Sequence, residues 1–419
     1  PPWGSEYRVD LLSAFVLVLV TTIGAAIMPF ARKSVAQEID GDKQAWFYTM
    51  YLLCLTGLLG ITITGDAFNI FVFLEISSLS TYVLIAMGKD RRALLAAYQY
   101  LIVGTIGATF YVIGIGLLYL VTGTLNIADI AARLGPAAAD TSRPVLAAFA
   151  FLTVGVSLKL ALFPLHVWLP GAYAHGPSVA TAFLAGTATK VAIYVLIRFI
   201  FSVFGGAISF HSLPVTEVLL VLSVAAMFIA SILAVFENDV KRVLAYSSLG
   251  QIGYITLGIA LANIAGLTGG IVHLFNHALM KTALFMSLGA IVYRIGTVRL
   301  QDLAGIGRQM PMTMTVFVIG GLALVGVPGT AGFVSKWYLA VGAFERGWWP
   351  LVFLILVTSL IAVVYVGRVV EVAWLREPSE FAASAKDPPW SMLMPMLALA
   401  AATIYFGIDT EASATIARR

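Results

Sequence analysis

Apolar residues in this chain neither alternate with polar ones nor keep to a single helical stripe. They fill uninterrupted runs of about 20 residues or more, separated by short polar punctuation. A helical run of that length crosses the roughly 30 Å hydrocarbon core of a bilayer. A membrane barrel would show short alternating segments instead. The runs predict about twelve spans, at roughly 8–30, 45–64, 66–88, 94–122, 144–173, 177–204, 214–236, 240–262, 266–295, 311–346, 350–374 and 391–409. The fifth and tenth are too long for a plain span, and both contain prolines.

Composition agrees with this pattern. Of 419 residues, 60% are hydrophobic and 11% charged, with a mean hydropathy of +0.95. A soluble domain carries about a quarter of its residues as charges. The expected fold class is therefore an all-α integral membrane protein. The single cysteine, Cys54, lies in an apolar run and reads as a small core residue. It excludes an intrachain disulfide and any cysteine-built zinc or iron–sulfur site. No cofactor is expected. The chain begins PPWGSEYRVD without methionine, which suggests that a longer N-terminus precedes it.

The net charge of +4 resides in loops on one side. Loops after odd-numbered spans hold fourteen Lys and Arg, among them Arg32, Lys89, Lys241, Arg242 and Arg299; the other side holds six, including Arg8, Arg418 and Arg419. The positive-inside rule makes the odd loops cytoplasmic and places both ends of the chain outside. This asymmetry points to a multi-pass protein of the cytoplasmic membrane, in contact with lipid, and not to a nucleic-acid binder.

A weak internal repeat divides the chain into an N-terminal transmembrane segment (1–44), two five-span repeats (45–204 and 205–374) and a C-terminal helix (375–419). The break LFPLHVWLP in the first repeat corresponds to LVGVPGTAGFVSKW in the second. Five spans is an odd number, so the repeats are inverted. Pro164 and Pro328 lack an amide hydrogen, which leaves the carbonyl four residues earlier without its ladder partner. Such backbone survives at membrane depth only inside protein or beside water. Paired breaks in inverted halves mark an ion or substrate path near the midplane.

With the loops counted, only six formal charges remain deep within spans: Glu75, Lys159, Lys190, Arg198, Lys281 and Lys336. Each costs about 2.5–3.5 kcal/mol at the bilayer centre on insertion scales. Glu75, about ten residues into its span, is the only acid among them, and Lys159 is its natural partner. Arg198 lies two turns from a span end and cannot readily release a proton, so it reads as structural. His273, His277 and Lys281 are spaced by four and share one helical face. Two histidines at that spacing could bind zinc, but the motif lacks a glutamate and a third ligand. A proton relay fits better, and no metal site is expected. His166 and His175 border the first break and are candidates for proton uptake or relay; His211 reads as a solvated loop residue. Burial disfavours a lysine's charge and a nearby carboxylate restores it, so a lysine whose acid partner approaches and withdraws can exchange a proton near neutral pH.

The segments GDAFNIFVFLE, SLKLALFPLHVWLPGAYAHGPS, GTATKVAIYVLIRF, VKRVLAYSSLGQIGY, HLFNHALMKTALF and GVPGTAGFVSKW together resemble the antiporter-like subunits of respiratory complex I, membrane-bound hydrogenases and Mrp-type cation/proton antiporters. The resemblance implies a fourteen-helix family fold with two inverted five-helix repeats, of which two N-terminal helices are missing here. It implies a proton path through Glu75, Lys159, Lys190, His277 with Lys281, and Lys336, one half-channel to each repeat. It also implies partner subunits, with protons and Na+ as the transported ions. GDAFNIFVFLE looks most like the D-type component of Mrp antiporters. The nearest rival is the same module in a redox complex, where the chain would hold no redox centre itself. A scaffold with static ion pairs is the reading from another class, and four deep lysines against one deep acid weigh against it.

Overall fold

The computed structural model describes residues 6–139, 143–212, 214–411 and 414–415. The two C-terminal arginines, Arg418 and Arg419, lie outside the described residues, as does the side chain of His211, whose backbone forms part of a π-helical turn at Ile208–Ser212. The fold is helical, with only three isolated β-bridges among the described residues. In a hydrocarbon core each backbone group must bond within its own segment, so uninterrupted apolar runs become helices. Eleven helices among the described residues are long and apolar enough to span a membrane. The pair Pro311–Val325 and Ala331–Glu345 forms a twelfth, interrupted span.

The helix starts follow from local chemistry. The side chains of Asp10, Asp66, Asp239 and Asn263 accept the amides of Ser13, Asn69, Arg242 and Gly266 and so cap the helices that follow them. The inverted repeats are written in these termini. Asp66 caps a helix and bridges to Asn126, just beyond the left-handed cap Gly123; Asp239 caps a helix and bridges to Arg299, just beyond the left-handed cap Gly296. The same number of residues separates the two members of each corresponding pair. The first set lies beside a cavity lined by Arg8, Asp10, Asn126 and Arg198, the second beside a cavity lined by Lys89, Arg92, His175 and Lys241. The second cavity carries the basic residues that the charge asymmetry assigns to the cytoplasmic side.

Three helices form the interior: Ser178–Ile197 with its local break, Val240–Ala260 and Ile264–Ile295. Leu11–Glu38 and Trp390–Ile408, which flank the repeats in sequence, both pack against Ile264–Ile295. The outer helices, Arg92–Thr122 and Trp349–Leu375 among them, keep apolar faces outward, as lipid contact requires. A short helix at Ile127–Ala139, which the hydropathy pattern does not predict, follows the fourth span.

Candidate functional site

Both breaks occur where the prolines predict them. The first helix ends at Leu160, Ala161 takes a left-handed backbone (φ 60°), and the second half resumes at Trp168–His175. The indole of Trp168 donates to the carbonyl of Leu158 (3.0 Å) and so ties the two halves together. The second helix ends at Val325 with Gly326 left-handed (φ 87°) and resumes at Ala331. A third discontinuity, absent from the hydropathy pattern, falls at Thr187, between Gly186 and Ala188.

The buried lysines sit at these discontinuities. Lys159 ends the first half-helix, bonds Ser78 Oγ and lies 3.3 Å from Glu75 Oε1. Glu75 is less enclosed than its depth in sequence suggests: a quarter of its side chain is exposed on the lateral face of the chain. The ammonium of Lys190 bonds the carbonyl of Ala185, beside the break at Thr187. Lys336 bonds the carbonyls of Leu324 and Val325, both at 2.9 Å, and Ser359 Oγ at 2.8 Å. It also lies 4.6 Å above the ring of Tyr254, a geometry that favours a cation. Lys281 differs: it bonds the carbonyl of Leu244 (2.8 Å) and Ser247 Oγ on an unbroken helix. Among the described residues only Lys159 has a carboxylate partner; the other three are held by backbone and hydroxyl oxygens.

These groups form a row. A cavity of about 20 Å³ lies between Lys159, Ser78 and Thr81 on one side and Ala188 and Val191 of the Lys190 helix on the other, space on the order of one water. Gly186, one residue from the Ala185 carbonyl, packs so closely on Thr282 that a Cβ there would collide with its hydroxyl. Lys190 is within electrostatic reach of Lys281, His277 and His273. His277 stacks in parallel on His273 (6.2 Å). His273 bonds Ser335 Oγ (2.7 Å) through Nδ1 and Gln251 Oε1 (2.8 Å) through Nε2. Ser335 is the sequence neighbour of Lys336, so the row closes at the second break.

His277 is fully buried with neither ring nitrogen hydrogen-bonded. An unsatisfied buried polar group costs about 1–3 kcal/mol. Static packing gives no reason for this imidazole. No cluster of three or more His, Cys, Asp or Glu suited to a metal occurs among the described residues.

The remaining candidates separate from the row. His166 lies in the first break, half-buried and stacked on Phe163 (5.1 Å). His175 lines the second, basic cavity, with Nδ1 3.9 Å from Asp90 Oδ2. Arg198 is a clasp at the opposite face, bonded to Asp10, Ser13 Oγ (2.9 Å) and Tyr194 Oη (3.0 Å). Burial alone would raise the Asp10 carboxyl, but its bonds from Arg198 and Ser13 outweigh this and hold it at about 2. Lys241 requires a correction. The charge count assigns it to the cytoplasmic loop at the start of the eighth span, yet it is only 6% exposed, because its side chain turns inward from the first residues of helix Val240–Ala260. The site's hydroxyl and amide partners, Ser78, Ser247, Gln251, Ser335 and Ser359, were not singled out either. Serine and glutamine carry no hydropathy signal strong enough to separate them from packing residues.

A helical membrane bundle with inverted, interrupted repeats and a row of buried lysines defines an ion-translocating membrane subunit. Residues 64–362 match the family described as NADH:quinone oxidoreductase/Mrp antiporter, TM, and the chain belongs to that family. It is 42% identical to the N-type component of the NADH-quinone oxidoreductase of Desulforudis audaxviator (98% of this chain, 83% of that one). It is 30% identical to the D-type component of the Na(+)/H(+) antiporter of Alkalihalophilus pseudofirmus (98% and 81%). The fold matches a chain of the Mrp complex from Dietzia sp. DQ12-45-1b with a TM-score of 0.90 and 27% identity, covering 100% of this chain and 84% of that one. It matches a chain of the archaeal membrane-bound sulfane sulfur reductase equally well, with a TM-score of 0.90 and 30% identity (100% and 83%). The chain is thus a multi-pass membrane subunit that works with other subunits.

Proposed function

We propose that the chain is the proton-translocating subunit of a multisubunit Na+/proton antiporter. The observation that carries this reading is the row from Lys159 to Lys336, in which only the first of four buried lysines has a carboxylate partner. Protons load near Glu75 and Lys159, pass through Lys190, and move along Lys281, His277 and His273 to Lys336. His175 and His166 serve uptake or relay beside the first break. Each lysine is held by oxygens that can accept from the ammonium, two at Lys159, Lys190 and Lys281 and three at Lys336. Ion movement, and not bond-making chemistry, is the task of this chain.

A second reading places the same proton path in a redox-driven pump. The 42% identity to a component of a quinone oxidoreductase and the fit to the sulfane sulfur reductase support it. Mass spectrometry of the complex that co-purifies in mild detergent separates the two. The antiporter reading expects small membrane subunits and a second, larger homologue, together with Na+-dependent dissipation of a proton gradient in membrane vesicles. Flavin, iron–sulfur or nickel–iron subunits in the complex, with no Na+ response, would overturn it in favour of the redox pump.

A further inference from the structure

The ammonium of Lys241 lies 3.4 Å from the carbonyl of Gly176 and 3.3 Å from Ser178 Oγ. Among the described residues no carboxylate is within ion-pair distance of it. Ser178 in turn donates through its amide (2.9 Å) and hydroxyl (3.1 Å) to Glu38, whose other oxygen accepts from Ser34 (2.6 Å). Glu38 belongs to the helix that precedes the repeats, Ser178 begins the helical segment that leads to Lys190, and Lys241 lies in the first turn of helix Val240–Ala260, whose Leu244 and Ser247 bond Lys281 from the next helix. Three elements thus meet at one hydroxyl.

A cavity of about 370 Å³ opens onto this junction, lined also by Asp90, His175, Asp239 and Arg299. On the inner side, the acceptors of Lys281 are Leu244 O and Ser247 Oγ on the same helix as Lys241. At 1.5 Å of rise per residue they lie about 4.5 and 9 Å deeper along the axis. Lys241 therefore borders a polar cavity at the basic face and shares its helix with the two oxygens that hold Lys281.

We propose that Lys241 is a proton-loading group for Lys281. The Lys241 ammonium releases its proton inward to the neutral amine of Lys281 and is reprotonated from the cavity, with no other reactant consumed. Glu38, through Ser178, positions it and fixes the His175–Ser178 turn against the second repeat. This gives the second repeat its own cytoplasmic loading point, separate from Glu75 and Lys159. The inference rests on the proton-translocation reading above.

The test uses the whole complex in proteoliposomes, with proton flux read by a pH-sensitive dye. Lys241→Arg keeps the charge and cannot release a proton near neutral pH; Lys241→His can, around its ordinary value of about 6.5. The expected result is assembly of both complexes, with flux lowered at least about tenfold by arginine. Histidine retains flux, with the pH profile moved toward acid. Flux in the arginine variant at half the parent rate or more would overturn the proposal, because charge alone would then suffice. So would a histidine variant whose pH profile coincides with the parent's, or loss of assembly in both variants, which would make Lys241 a structural pin. If the parent complex itself moves no protons, the broader reading fails; if the parent does and Lys241→Arg is unaffected, only the loading role fails.

Discussion

The ammonium of Lys336 sits 2.9 Å from the carbonyl oxygen of Leu324, four residues before Pro328. Proline has no amide to offer that oxygen, so the helix break leaves an acceptor at membrane depth and the lysine occupies it. Break and buried charge are one device: each supplies the partner that makes the other tolerable. Lys190 repeats it at the Thr187 discontinuity, where Ala185 provides the free carbonyl.

Gly326 is the hinge of that device. Its φ of 87° is a left-handed conformation, and a Cβ there would lie 2.9 Å from Lys336 Cδ. Gly326→Ala is expected to cost roughly 1–2 kcal/mol in backbone strain and to displace the ammonium. Displacement on the ångström scale is expected to lower proton flux by roughly tenfold or more. Flux and complex recovery, measured on the same preparation, check it.

The Glu75–Lys159 pair gives a second prediction. Removing one partner of a buried ion pair leaves an uncompensated charge, whereas removing both is far milder. Glu75→Ala alone and Lys159→Ala alone are each expected to abolish flux while leaving assembly mostly intact. The double variant Glu75→Ala with Lys159→Met is expected to be equally inactive, yet more heat-resistant in detergent than Glu75→Ala. The temperature at which the complex dissociates on size-exclusion chromatography is the measurement.

His277 and His273 are expected to respond in opposite ways. His277 has no hydrogen bond to lose, so His277→Leu keeps or raises heat resistance while flux falls at least about tenfold. His273→Leu strands the Gln251 side chain, at about 1–3 kcal/mol, while Ser335 keeps its bond to the carbonyl of Gly332. Dissociation temperature and flux of the two variants, side by side, separate a relay from a packing role.

Arg198 serves as the contrasting case. Arg198→Gln breaks the clasp to Asp10 and is expected to lower heat resistance while leaving flux within about twofold of the parent, since arginine does not exchange its proton near neutral pH. Flux in vesicles and dissociation temperature check both halves.

Much of this site was legible in the sequence because hydropathy makes a charge in an apolar run conspicuous. Lys159, Lys190, Lys281 and Lys336 stand out for that reason, and the prolines mark two of the breaks beside them. The pairing of Lys159 with Glu75 was legible by elimination, as the only deep acid. What the sequence could not convey depends on side-chain direction. Lys241, one residue into its helix, reads as a surface cation until the structure turns it inward. Glu75 reads as enclosed until its helix is seen to face partly outward. The break at Thr187 contains no proline and so leaves no mark, and the serine partners of the lysines are indistinguishable from helix-packing hydroxyls.

The central claim is that protons cross the chain along the row of buried lysines. Lys190 tests it most directly, because it joins the first repeat to the second and has no carboxylate partner that its loss would leave exposed. The decisive measurement is proton flux through the intact complex carrying Lys190→Met, reconstituted in proteoliposomes. The account predicts a complex of normal subunit composition whose flux falls at least about tenfold. Flux at the parent rate through a correctly assembled Lys190→Met complex would contradict it.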